Sequence, residues 1–192
     1  MSIAFSENER KIILEKLKKG AKIFSAEKGM KKTSVDKLVV YAGISKGAFY
    51  NFFRSKDELF LEILEDWHTK IYGDALDCLM EKSNATMKNK AGRAILQACE
   101  TMHKESVMKF IREDLEQLLE NISGTELMER YHSDDIHIDE VIRFSEIKLL
   151  VTNREAADIV KNLVFTVLNS EMNGYWHAQK IMINSVCSFI IK

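Results

Sequence analysis

Residues 33–53, TSVDKLVVYAGISKGAFYNFF, are the stretch whose reading decides the fold. Thr33 and Ser34 carry the side-chain oxygens that cap a helix start, and Val35, Leu38 and Val39 follow at helical spacing. Gly43 ends that helix, since it can supply the unusual backbone dihedral of a tight turn. Ser45 then caps a second short helix, predicted from Lys46 to about Phe52. Its Phe49 packs on Leu38 and Val39. Two short helices joined by a glycine turn form either an ordinary helical hairpin or a helix-turn-helix. On the free side of the second helix stand Lys46, Gly47, Ala48, Tyr50 and Asn51. Gly47 and Ala48 lack bulk and allow close approach to a groove wall. Lys46 brings charge, Tyr50 a hydroxyl for a phosphate, and Asn51 an amide for a base edge or a phosphate.

The flanks read as helices too. Ile13, Leu17, Ala21 and Phe24 recur at three- and four-residue steps in a helix predicted over 7–28, with Gly29 as its C-cap. Ser55-Lys56-Asp57-Glu58 is a capping box, opening a helix with Leu59, Ile63 and Trp67 on its apolar face. Residues 88–121 are helical in pattern, with a break near His103. Tyr131–Asp135 is a polar connector, and Ile138–Leu150 is a helix. Thr152-Asn153-Arg154-Glu155 is a second capping box, opening a helix that ends before Gly174. A last helix spans about Tyr175–Ile191.

Composition agrees. The 192 residues include no Pro and only 8 Gly, against a many-stranded sandwich or barrel. The net charge of −1 hides a division. Residues 1–56 carry 13 Lys and Arg against 5 Asp and Glu; residues 57–192 carry 15 against 24. A basic front on an acidic body suits a polyanionic partner. Cys78, Cys99 and Cys187 form no CxxC pair, so buried inert thiols in a reducing cytoplasm are expected. No stretch is long and apolar enough to suggest a membrane span.

The N-terminal block resembles the TetR (tetracycline-repressor) family of bacterial transcriptional regulators. The residues that carry this are Ile23-Phe24, Gly29, Thr33-Ser34-Val35, Leu38, Ala42 to Gly47, Phe49-Tyr50, Phe53 and Ser55 to Leu59. The resemblance implies an all-α chain of about nine helices. Residues 1–54 would be a three-helix helix-turn-helix DNA-binding domain, and residues 55–192 a ligand-binding and dimerisation domain. It implies phosphate contacts from Thr33, Ser34, Lys46, Tyr50 and Lys56, with Gly47, Ala48 and Asn51 facing bases. Val39, Ala48 and Asn51 depart from the residues common in the family, which bears on the operator sequence. A homodimer would read a near-palindromic operator.

The last two helices would form the dimer seam through Leu163, Val167, Leu168 and Met172 on one, and Met182, Val186, Phe189 and Ile190 on the other. A small-molecule inducer would enter the acidic body, move the fourth helix and release DNA. Trp67, Tyr72, Met102, His103, Phe110, Tyr131, Phe144 and Trp176 are candidate pocket residues, since Met and aromatics suit an adaptable apolar cavity. The same residues serve equally as core. No cofactor is implied, and no catalytic motif is present. The alternative is a metal- or redox-responsive protein or an enzyme built on Tyr131–His137, but His132 and His137 lie five apart, off one helical face.

Overall fold

The computed structural model describes residues 5–122, 134–169 and 176–192. Ten helices appear among them, and no strand. They are α1 (Glu7–Lys28), α2 (Val35–Ala42), α3 (Lys46–Phe49), α4 (Lys56–Met80) and α5 (Met87–Lys104). Then follow α6 (Val107–Glu113), α7 (Leu115–Asn121), α8 (Asp134–Phe144), α9 (Asn153–Asn169) and α10 (Trp176–Ile190).

Helix starts follow local chemistry. At α1, the Ser6 hydroxyl accepts from Glu9 N (3.3 Å) and the Glu9 carboxylate accepts from Ser6 N (2.8 Å), a reciprocal box. Thr152 and Glu155 repeat it before α9, at 3.2 and 2.8 Å. The expected box at Ser55–Glu58 is only half made. Ser55 Oγ accepts from Glu58 N at 3.0 Å, but the Glu58 carboxylate accepts from Arg54 N and holds the Arg54 guanidinium. An arginine next to the cap has drawn the carboxylate one residue back.

Three expectations are corrected. The second helix of the pair stops at Phe49, and 50–52 continue as a turn. The 88–121 stretch breaks after Lys104, next to the expected position at His103, and a second time that was not expected. Ser106 adopts left-handed backbone (φ 57°), and Asp114 interrupts the helix again. The helix expected over 138–150 ends at Phe144. Glu146 turns left-handed (φ 55°), and the chain beyond it pairs with the C-terminus. Leu150 N donates to Ile190 O (2.7 Å) and Lys192 N to Lys148 O (2.8 Å).

The chain divides into two compact units, and the division falls beyond the residue-54 boundary expected from sequence. One unit takes the chain up to Asp66 together with the segment beginning at Ser106. Its core holds Leu17, Met30, Leu38, Phe49, Phe53, Leu59, Phe60, Ile63 and Leu118, all buried. Each such side chain contributes roughly 1.5–3 kcal/mol by leaving water. Phe110 stacks on Phe60 here (5.8 Å, 15°).

The other unit takes Trp67–Glu105 and the chain from His132 onward. In it α5 packs chiefly on α10, around Ala91, Ala94, Cys99, Leu163, Val167, Ile183, Cys187 and Ile190. Cys99 and Cys187 lie in this core, and Cys78 packs against it. Burial raises Cys99 to about 12 and Cys187 to about 11, and it also raises the half-buried Cys78.

Candidate nucleic-acid interface

The site is built on the turn between α2 and α3. Ser34 caps α2, its hydroxyl accepting from Lys37 N at 3.4 Å. Gly43 ends α2 in left-handed backbone (φ 74°), the conformation that lets α3 leave in a new direction. Ser45 Oγ accepts from Ala48 N at 3.1 Å and fixes the first turn of α3. Leu38, Val39 and Phe49 are buried, which anchors the two helices through apolar surface and leaves the opposite side of α3 to solvent.

That side carries the expected residues. Lys46 is exposed and paired with Asp36 of α2 at 2.9 Å. The Asp36 hydrogen bond raises the Lys46 ammonium above its ordinary range, so it stays charged. Gly47 faces open space, with only Ser45 Oγ at 4.0 Å from where a Cβ would sit. Tyr50 is 52% exposed, its ring edge resting on Phe49 (5.4 Å, 89°). Asn51 is exposed beside it, and Ala48 is half-buried.

Two residues expected at phosphates lie elsewhere. Thr33 is 1% exposed, and its hydroxyl donates to Gly29 O at 3.0 Å. Lys56 is half-buried, its ammonium donating to Met30 O at 2.8 Å. Both therefore fasten the α1–α2 connector. Asp114, 5% exposed, completes the fastening by accepting from Met30 N at 2.8 Å, and Lys109 donates to Ala26 O. Four side chains thus hold residues 26–30, next to the helix pair.

Sequence reading also missed Arg10 and Lys18. The Arg10 guanidinium lies over the Phe52 ring (4.7 Å) and donates to Asn51 O (3.4 Å), so α1 grips the exit of the recognition turn. Lys18 pairs with Glu62 (2.7 Å) and Asp66 (2.9 Å), tying α1 to α4. Burial works against the Lys18 charge, but the Asp66 and Glu62 hydrogen bonds outweigh it and raise the ammonium. Each partner lies tens of residues away, so no local spacing signals it.

Residues 17–63, which span α1 to the start of α4, match the model of the bacterial regulatory proteins of the tetR family. Over those residues the chain is similar to the TetR family. It is 26% identical over 136 residues to the HTH-type transcriptional regulator YuxN of Bacillus subtilis, a match covering 71% of this chain. The chain spans about half of that relative, the match taking in 45% of its length.

Two solved structures have the same fold. One is a TetR-family transcriptional regulator from Vibrio parahaemolyticus (16% identity, 94% of this chain and 99% of that one, TM-score 0.64). The other is the transcriptional regulator FadR from Bacillus subtilis in complex with stearoyl-CoA (22% identity, 91% and 95%, TM-score 0.60).

The other expected residues scatter. Trp67 is buried and donates its indole N–H to Glu105 at 3.3 Å. Tyr72 stacks on His137 (4.7 Å, 21°), Met102 is half-buried and His103 exposed. Phe110 is a core residue of the other unit. Tyr131, Met172 and His132 lie outside the described residues, as do the side chains of Phe144 and Trp176.

Of the expected seam, Leu163, Val167 and Ile190 belong to the core, with Leu168, Met182 and Val186 packed at its edge. Phe189 is 78% exposed, and Phe165 and Ile181 stand exposed on the same two helices. No group of three His, Cys, Asp or Glu able to hold a metal ion occurs among the described residues. None of the described helices is long and apolar enough to cross a membrane.

Proposed function

We propose that this chain represses transcription by binding, as a homodimer, a near-palindromic operator, and that a small molecule in the C-terminal unit releases it. The observation that carries the reading is the capped α3 with Lys46, Gly47, Tyr50 and Asn51 on its solvent side, inside the segment that matches the family. Such a short helix offers few base contacts, so two copies spaced for successive major grooves supply the affinity. Ser34 joins the phosphate contacts from its exposed cap position.

The exposed Phe165, Ile181 and Phe189 on α9 and α10 support a dimer seam there, since apolar side chains of this size are favourably covered. Trp67, Tyr72, Met102 and His103 remain the residues to probe for inducer contact, in a chain that works in the cytoplasm. The inducer acts by favouring the half-site spacing that does not fit DNA, which requires a coupling of roughly 1–3 kcal/mol.

A gel-shift titration with DNA from upstream of the chain's own gene tests the reading. Wild type is expected to form a discrete complex, and Lys46→Ala and Tyr50→Phe to weaken it without changing the helical spectrum or the dimer. Wild-type affinity in both variants contradicts it.

A further inference from the structure

A groove of about 620 Å³ lies on the unit that carries the helix-turn-helix, lined by none of the residues assigned to DNA but adjoining Ser34 and Lys46 through Lys37 and Asp36. Its size falls within the range of small-molecule sites, roughly 300–1,000 Å³. Phe24 and Tyr41 form its floor, edge to face (5.7 Å, 81°), and Val40 adds a branched aliphatic group that is 81% exposed. The floor is shaped by Gly20. A Cβ there would lie 2.8 Å from the Tyr41 ring, so the ring rests on α1 only because that position has no side chain. Lys28, Lys32 and Lys37 stand on the rim, and none of the three forms an ion pair among the described residues. Of the two acids on the rim, Asp36 is already engaged by Lys46, which leaves Glu27 alone against three ammonium groups.

An apolar trough under a net positive rim complements one chemistry, a single anionic head on an aliphatic tail. We propose that this groove binds a free fatty-acid-type carboxylate as a second ligand site, on the DNA-reading unit itself. The tail lies along Phe24, Val40 and Tyr41, and the carboxylate is held by Lys32 and Lys37. The head gains charge-assisted hydrogen bonds that a neutral or cationic head of equal tail length cannot make.

The probe is laurate, kept below its critical micelle concentration. It is titrated into the 192-residue protein while the Tyr41 ring signal, assigned with Tyr41→Phe, is followed by NMR. A saturable shift of Tyr41 is expected, with dodecylammonium and dodecanol weaker by about tenfold or more. Val40→Asp, which replaces an exposed side chain, and the Lys32→Glu/Lys37→Glu pair should each weaken laurate by about tenfold or more with an unchanged helical spectrum. An unmoved Tyr41 overturns the proposal, even if laurate binds elsewhere on the chain. So does equal binding of dodecylammonium, or full affinity in Val40→Asp. No DNA is present in the assay, so its result is independent of the operator reading.

Discussion

Asp36 and Asp114 are two acids with opposite consequences. Asp36 is exposed beside α3 and neutralises Lys46, a residue assigned to a phosphate. DNA must displace it or accept its charge. Asp36→Asn is therefore expected to tighten DNA binding by about threefold to tenfold, through the freed ammonium and the lost repulsion. Anisotropy titrations of wild type and variant in the same buffer check this. Asp114 is buried on Met30 N. Asp114→Ala leaves that amide unsatisfied, which costs about 1–3 kcal/mol. Asp114→Asn keeps an acceptor and should restore most of the loss, as urea unfolding would report. The exposed placement of Lys46 and Tyr50 and the Ser45 cap were legible in sequence, because helix register and capping are set within a few residues. Thr33 and Lys56 were not. Their roles are set by the connector they fasten, and the Asp114–Met30 contact spans 84 residues.

Helices with chemical punctuation were legible, and those without it were not. Ser34, Ser45, Thr152, Gly29 and Gly43 mark the ends they were expected to mark. The break at Asp114 carries no glycine or proline, and α8 stops short because the segment after it pairs with the C-terminus. Gly43→Ala forces a Cβ into left-handed backbone, so a loss of roughly 1–2 kcal/mol is expected, with weaker DNA binding as the turn relaxes. Thermal unfolding and anisotropy together separate the two effects.

The cap at α9 sets a pH dependence. Glu155 is held below its ordinary 4.5 by the Thr152 backbone and hydroxyl hydrogen bonds. A depressed carboxyl stabilises the fold above its unfolded value and loses that contribution as pH falls through the folded one. The melting temperature of wild type should therefore fall below pH 4.5 more steeply than that of Thr152→Ala, whose Glu155 lacks the hydroxyl partner.

At the scale of the whole chain, the charge division and the segment similar to the TetR family agree. The basic front was legible from composition, and the segment that matches the family begins inside it. The two-unit division was less legible, because a returning segment from Ser106 joins the front unit and brings Phe110 and Asp114 with it. The residues expected at a seam were hard to separate from core because both kinds are apolar at helical spacing. Only burial distinguishes Val167 from Phe189.

The central claim is that α3 and its surroundings read duplex DNA largely through phosphate contacts, and the salt dependence of binding tests it most directly. Anisotropy of a labelled duplex from upstream of the gene, measured across salt concentrations, gives the slope of log affinity against log salt. One cationic phosphate contact per protomer, Lys46, predicts a slope of about −2 for the dimer, a contribution that Lys46→Ala removes. An affinity that does not change with salt, or a slope identical in wild type and Lys46→Ala, would contradict the account.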